Sequence, residues 1–487
     1  MIVPSYEEIK TYASDPELKI LPIAKEILSD FTTPIRTLRV LHNVSDHVFL
    51  LESMEERERW GRYTFLGFDP KLEITCENGV LQAGGLTIET LHPEEYIRQI
   101  LKEYKAPRIP SLPPFTGGLV GYFSYDYLKY AEPSLKLDAQ DTEHFKDIDL
   151  MLFDNLIAFD HLKQKIVLIV NMKLSEGETG YRNAVLQIEQ LEHLIRNGEP
   201  AVEEPGRIVG EVTPLFDEER YCAMVEKAKH YIYEGDIFQI VLSNRLEAKY
   251  EGSLLNAYRM LRTINPSPYM FYFCSSDLEV SGASPETLVK LQDGILHTFP
   301  LAGTRPRGAT EEEDQRLEEE LLHDEKELAE HNMLVDLGRN DIGKISKFGS
   351  VQVEKFHSIE RYSHVMHIGS TVRGQLREDK DALDAVGAIL PAGTLSGAPK
   401  IRACQLINDL EDNKRGIYGG GIGYLDFSGN LDLCIAIRIA YRKNGSVFVR
   451  SGAGIVADSN PQKEYQECLN KAAAVIASLK QAEEETL

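Results

Sequence analysis

Four glutamates fall into two pairs, each spaced by about one helical turn. Glu327 and Glu330 lie in KELAEHNMLVDLGRND, and Glu464 and Glu467 in NPQKEYQECLNKAA. At about 100° per residue, Glu330 shares a helix side with Leu334 and Leu337. In the second segment Tyr465, Cys468, Leu469, Ala472, Ile476 and Leu479 form the apolar stripe, and Glu464, Glu467 and Lys471 line its edge. A carboxylate turned toward an apolar face has to be protonated, paired or bound to a cation. Oxygen donors from two helices, with no His/Cys cluster, suit Mg²⁺ rather than zinc. The same glutamates, with Asp324 and His331, also read as the polarity of solvated helix faces, and the pattern taken alone favours that plainer reading.

Three segments of small residues could hold an anion. FPLAGTRPRG (299–308) reads as a loop bringing backbone close to something negative, although Ala302 at its centre carries no reactive group. RSGAGIVADS places Gly452 and Gly454 around Ala453, so that backbone N–H groups could approach a carboxylate. AGTLSGAPKIRA adds the hydroxyls of Thr394 and Ser396 ahead of a helix. Arg438, in CIAIRIAY, is read as a strand residue on the face opposite Ile437 and Ile439. Singly these are tight turns and a solvent face; together they describe a pocket for a small polyanion.

These groups need a sizeable scaffold. The chain has 487 residues, 43% hydrophobic and 27% charged, with a formal net charge of -24. Such acidity excludes a phosphate backbone as partner unless a local basic patch exists, and none is evident. No apolar run is long enough to span a bilayer, and MIVPSYEEIK lacks a signal-peptide layout. Six scattered cysteines fit reduced thiols, and a cytoplasmic location is expected. The Pro-, Gly- and Glu-rich stretch 196–214 reads as a linker between an N-terminal region, 1–195, and a domain over 215–487. Residues 311–341 read as one long helical stretch. Runs joined by short Gly- and Asn-bearing turns predict mostly antiparallel sheets, hence an α+β fold.

PLAGTRPRG, LAEHNMLVDLGRNDIG, VMHIGSTVRG, GTLSGAPKIRA, GIYGGGIGY and RSGAGIVADSNPQKEYQE resemble, in order and spacing, the chorismate-utilising enzymes. The likeness covers nearly all of 213–479, and LLES, GRYTFLG and PFTGGLVGYFSYD resemble the N-terminal region of that family's ammonia-using members. The resemblance implies a large sandwich of antiparallel sheets with outer helices, chorismate as substrate and Mg²⁺ as cofactor. It implies Glu330 and Glu467 as direct metal ligands, with Glu327 and Glu464 behind them. Arg438, Tyr418 and the Gly452–Ala453–Gly454 backbone would hold the enolpyruvyl carboxylate, Lys471 would complement the substrate's charge, and Thr394 would line the pocket. Glu286 resembles the general acid for the departing ring hydroxyl, and His367 the histidine needed for pyruvate elimination.

Two positions separate the family's chemistries. Water-adding members carry a lysine where this chain has Gln239, which cannot serve as that base. Members that attack the ring with a loop lysine carry it where this chain has Ala302. The resemblance therefore implies external ammonia as nucleophile and anthranilate as product, the first committed step toward tryptophan. The 4-amino product of the folate branch is the alternative, and a non-catalytic tryptophan or chorismate sensor a second. No glutaminase signature is present, so ammonia is expected from a separate glutamine amidotransferase, in a heterotetramer. Glu52 and Ser53 in LLES, with Pro268, Tyr269 and Met270 in NPSPYMFYF, match the family's tryptophan-site motifs, which implies feedback inhibition. Ordinary inter-domain packing would explain the same apolar runs.

Overall fold

The computed structural model describes residues 2–53, 61–362 and 365–484. The elements that position the site are strands β1 (Val48–Glu52), β2 (Gly118–Phe123), β3 (Arg207–Pro214), β4 (Gln239–Glu251), β5 (Tyr269–Cys274), β6 (Glu279–Ser284) and β7 (Thr287–Gln292). They continue with β8 (Leu301–Pro306), β9 (Val365–Gln375), β10 (Gly421–Asp426), β11 (Leu431–Ile435), β12 (Ile439–Lys443) and β13 (Ser446–Ile455). The helices are α1 (Leu255–Ile264), α2 (Glu311–Leu322), α3 (Glu325–Gly343), α4 (Lys400–Glu411) and α5 (Pro461–Ala482).

Among the described residues the strands form two large sheets, of 13 and 12 strands. In the first, β1, β5, β6, β12, β13, β4 and β3 lie side by side, beyond strands from the N-terminal 173 residues. In the second, β8 and β9 lead through Ile295–Thr298 to β7, β11, β10 and β2. The pairings within both sheets are antiparallel, for instance β4 with β13, β5 with β6 and β7 with β11. This is the α+β architecture expected from the turn-rich runs. Strands from before and after the expected linker share both sheets. Phe49, Phe153, Phe271, Ile422 and Tyr441 are buried in one common core, because each strand turns alternate apolar residues the same way.

Several local expectations are corrected. The stretch 196–214 is not wholly a linker: a helix runs to Asn197, and Arg207–Pro214 pairs with β4 at the sheet edge. Backbone groups of an extended segment beside an open edge are satisfied by joining it, whatever its Pro and Gly content. The stretch 311–341 is two helices. Asp324 ends the continuity by accepting from the Lys326 and Glu327 amides at 3.1 and 3.2 Å, which makes it an N-cap. The six cysteines form no disulfide, and all but Cys222 are buried. Among the described residues no helix is long and apolar enough to cross a membrane.

The helix α4 is anchored by a buried charge cluster. Glu411 accepts from Arg415 Nη2 at 2.5 Å and from Arg450 Nη2 at 2.8 Å, and it also accepts from the Ser243 amide at 2.7 Å. All three charged side chains are excluded from solvent. The cluster ties α4, β4 and β13 together behind the site.

Candidate active site

The chain crosses from one sheet to the other twice at neighbouring places. Glu286 lies between β6 in the first sheet and β7 in the second, and Arg438 between β11 in the second and β12 in the first. The crossings run side by side: the Ile435 amide donates to the Glu286 carbonyl at 2.9 Å, and the Ala283 amide to the Arg438 carbonyl at 3.1 Å. Arg438 is therefore not on a strand face, as its alternation with Ile437 and Ile439 suggested. It takes a left-handed conformation, φ 53°, which ends one strand and re-aims the chain. Such a conformation is uncommon for a residue with a side chain and costs about 1–2 kcal/mol.

Burial separates the protonation states of the site. Glu286 is enclosed, and this pushes its carboxyl up to about 8, offset in part by a hydrogen bond from the Thr394 hydroxyl at 3.2 Å and by the charge of Arg438. At neutral pH it is a carboxylic acid with a proton to give. His367 behaves oppositely. Burial lowers its pKa, and Arg438 adds to that despite the bond to Gly303. The bond between His367 Nδ1 and the Gly303 carbonyl is 2.8 Å long. A carbonyl only accepts, so Nδ1 carries the hydrogen and Nε2 keeps its lone pair. Arg438 makes no ion pair among the described residues, and burial lowers its pKa as well. A buried guanidinium without a carboxylate calls for an anionic ligand.

The segment 301–306 is a strand rather than the expected loop. β8 pairs with β9, Ala302 opposite Ile368, and the register shifts around Gly303. Gly303 has φ 67°, and a Cβ there would meet Leu321, Glu327 and Ile368 at 3.1–3.3 Å. A bulge at glycine explains how this strand turns a carbonyl toward His367. Its arginines are taken up by the chain's own carboxylates: Arg305 pairs with Glu320 and Asp324 at 3.0 and 2.8 Å, and Arg307 with Asp314 at 2.5 Å. Gly452, Ala453 and Gly454 are likewise strand residues, opposite Ser243, Leu242 and Val241 on β4. Ala453 is buried in the core. A Cβ on Gly452 would lie 3.0 Å from the Tyr418 hydroxyl, and one on Gly454 2.9 Å from Gln239 Nε2. The glycines thus leave bare a strip of strand beside Tyr418 and Gln239. Tyr418 is buried, which raises its pKa.

Gln239 donates to Glu330 at 3.2 Å. It therefore orients a carboxylate, a contact the sequence comparison of that position with lysine did not suggest. Glu327 has its pKa raised by burial, then by Glu330 and Asp324. Glu464 is raised by burial and by Glu467. Lys471 bonds Glu467 at 2.7 Å and the Gly452 carbonyl at 3.2 Å, joining α5 to the bare strip. Among the described residues no three His, Cys, Asp or Glu side chains converge as a metal-holding group. The donor chemistry nevertheless fits a hard divalent cation: every donor is a carboxylate oxygen, and each pair contains a glutamate that resists ionising beside its neighbour.

The five residues matched to a tryptophan site line one cavity of 330 Å³, with Arg62, Lys290 and Asp432. Glu52 is not a free carboxylate there. It accepts from the Tyr258 hydroxyl at 2.5 Å and from Arg262 at 3.1 Å, so a ligand amino group would have to share it. The reason is pairing: Glu52 lies opposite Met270 in the sheet, beneath α1. The Tyr269 hydroxyl lies 2.9 Å from both Thr287 Oγ1 and Asp432 Oδ1, which links the cavity wall to the residue after Glu286.

The chain belongs to the chorismate-binding enzymes, whose family model it matches over residues 46–477. Within that family, anthranilate synthase component 1 from Acetivibrio thermocellus is 46% identical over 99% of this chain and 100% of its own. The Aquifex aeolicus protein of the same name is 45% identical, over 99% and 98%. The crystal structure of anthranilate synthase component I from Streptococcus pneumoniae superposes with a TM-score of 0.77 at 38% identity, covering 92% of this chain and 98% of that one. The menaquinone-specific isochorismate synthase from Escherichia coli shares the fold at 20% identity, with a TM-score of 0.70 over 98% and 99%.

Proposed function

We infer that this chain converts chorismate and ammonia into anthranilate and pyruvate, the synthase half of anthranilate formation. What supports this reading is that the buried carboxyl of Glu286, pushed up to about 8, and the buried imidazole of His367, with its pKa lowered, both lie within electrostatic reach of the Arg438 guanidinium, which makes no ion pair among the described residues. Arg438, Tyr418 and the Gly452–Gly454 strip hold the enolpyruvyl carboxylate, and Lys471 adds positive charge nearby. Mg²⁺, held by Glu330 and Glu467 with Glu327 and Glu464 behind them, would neutralise the ring carboxylate when bound. Glu286 gives its proton to the departing ring hydroxyl, which leaves as water. Ala302 and Gln239 offer no competing nucleophile or base, so ammonia adds to the ring. The ammonium formed on the ring returns a proton to the Glu286 carboxylate; His367 Nε2 then takes the ring proton beside the new amine, the C–H electrons complete the aromatic ring, and the ring C–O bond to the enolpyruvyl group breaks, so that enolpyruvate leaves and takes up a proton to become pyruvate. Ammonia reaches the site from a separate glutamine amidotransferase subunit.

The division of labour is testable at His367. His367→Met should still consume chorismate but accumulate the amino-bearing intermediate that retains its enolpyruvyl group, seen by chromatography and mass. Unchanged anthranilate formation would remove His367 from the elimination step.

The 330 Å³ cavity is read as the site at which tryptophan inhibits. Pro268, Tyr269 and Met270 supply an apolar wall for an indole, and Ser53 and Glu52 lie at its polar side. The Tyr269–Thr287 bond supports a route from this wall to the neighbourhood of Glu286. Tryptophan should bind the low-activity state more tightly, and chorismate should weaken tryptophan binding by the same factor. Ser53→Phe or Met270→Thr should relieve inhibition while sparing activity measured without tryptophan. Full activity of the parent enzyme at saturating tryptophan would refute the assignment.

A further inference from the structure

We propose that Asn265 is a positioning residue for Arg438, and so sets how tightly the substrate carboxylate is held. The proposal rests on the reading of Arg438 as a carboxylate holder. Arg438 sits at a sheet crossing in a left-handed conformation, between the two strands rather than in either. Its guanidinium donates from Nη1 to Asn265 Oδ1 at 3.4 Å. Asn265 is itself fixed at the end of α1. Its amide donates to the Leu261 carbonyl at 2.9 Å, and its own carbonyl accepts from the Ser267 hydroxyl at 3.2 Å. Pro266 follows directly and restricts the backbone further. The side-chain Nδ2 of Asn265 is buried with no partner among the described residues, so among them the bond from Arg438 is the side chain's one hydrogen bond.

The residue type matters. A neutral acceptor can orient the guanidinium yet leave its whole charge for a ligand. An aspartate of the same shape would form an ion pair and occupy the group that the substrate needs. An apolar residue would leave a buried N–H unpaired and the guanidinium free to swing. None of the small-residue motifs around the site points to Asn265, which reaches it from the far end of the segment that walls the 330 Å³ cavity.

The test is steady-state kinetics of the full chain with chorismate, Mg²⁺ and ammonium chloride, for Asn265→Ala, Asn265→Asp and Arg438→Ala. Asn265→Ala should raise KM for chorismate by about three- to tenfold with kcat within about threefold of the parent. Asn265→Asp, which keeps the shape, should raise KM further, on the order of 30-fold, because the new carboxylate competes for the guanidinium. In the Arg438→Ala background, either change at Asn265 should add less than about twofold, since the coupling is gone. A merely structural role would instead lower kcat and the melting temperature without this ordering of KM. If Arg438→Ala raises KM while both Asn265 variants stay within about twofold of the parent, the positioning role is overturned. If Arg438→Ala itself leaves KM unchanged, the reading of Arg438 fails and the proposal falls with it.

Discussion

Glu286→Gln should lower kcat by about 10²–10⁴-fold while leaving KM for chorismate nearly unchanged. The amide fills the same space and can still meet the Thr394 hydroxyl, but it has no proton to give to a leaving hydroxyl. The parent enzyme carries a pH signature of the same group. Burial holds the Glu286 carboxyl at about 8, so the acid form dominates below that pH and is lost as pH rises through it. With free ammonia kept constant by adjusting total ammonium, kcat should therefore fall on the alkaline side with a midpoint near that value. Glu286→Gln should lose this limb together with its activity. The profile has to be read at fixed free ammonia, because raising pH otherwise supplies more nucleophile while removing the acid. Activity within about tenfold of the parent would show that another group delivers the proton.

Glu330→Gln and Glu467→Gln should each abolish turnover at ordinary Mg²⁺, a loss on the order of 10³-fold or more, with the fold intact. Each replaces a charged oxygen ligand by a neutral one of equal size. Thermal melting separates the two possible causes. A ligand that binds the native state stabilises it in proportion to occupancy, so the parent should gain melting temperature on adding Mg²⁺ with chorismate, and the variants should not. Their melting temperatures without added metal should stay close to the parent's, because relief of the like charge beside Glu327 or Glu464 offsets the weakened Gln239–Glu330 or Lys471–Glu467 contact. Near-normal activity in both variants would remove these glutamates from the metal site.

Much of this arrangement could be read from the chain, and what could not be read has a common cause. Helix spacing is local, so the pairs Glu327/Glu330 and Glu464/Glu467 were visible as pairs before any tertiary structure was known. The antiparallel character followed from short turns between strand-like runs. The β8 segment reads as a loop in the sequence because small residues serve two purposes. Glycine and alanine relax the backbone in a turn, but they also clear the face of a strand, as Gly452 and Gly454 do beside Tyr418 and Gln239. Asp324 looked like one more charge in a helix, and its capping role depended on where its neighbours' amides pointed. Arg438 looked like a strand residue because alternation continues across a sheet crossing that only long-range pairing reveals. The contacts from the Gly303 carbonyl, Asn265 and Thr287 join residues 64, 173 and 18 positions apart, and no local pattern reports them.

This chain alone, given chorismate, Mg²⁺ and ammonia, should make an ortho-aminated aromatic product. Purified chain is incubated with chorismate, MgCl₂ and an ammonium salt at about pH 8, where a large share of Glu286 keeps its proton and free ammonia is present, and the products are identified by fluorescence and mass. Anthranilate and pyruvate should appear in equal amounts with no glutaminase subunit present, and turnover should cease when Mg²⁺ is chelated. A 4-amino product that retains the enolpyruvyl group, or chorismate left unconsumed under these conditions, would contradict the proposed activity.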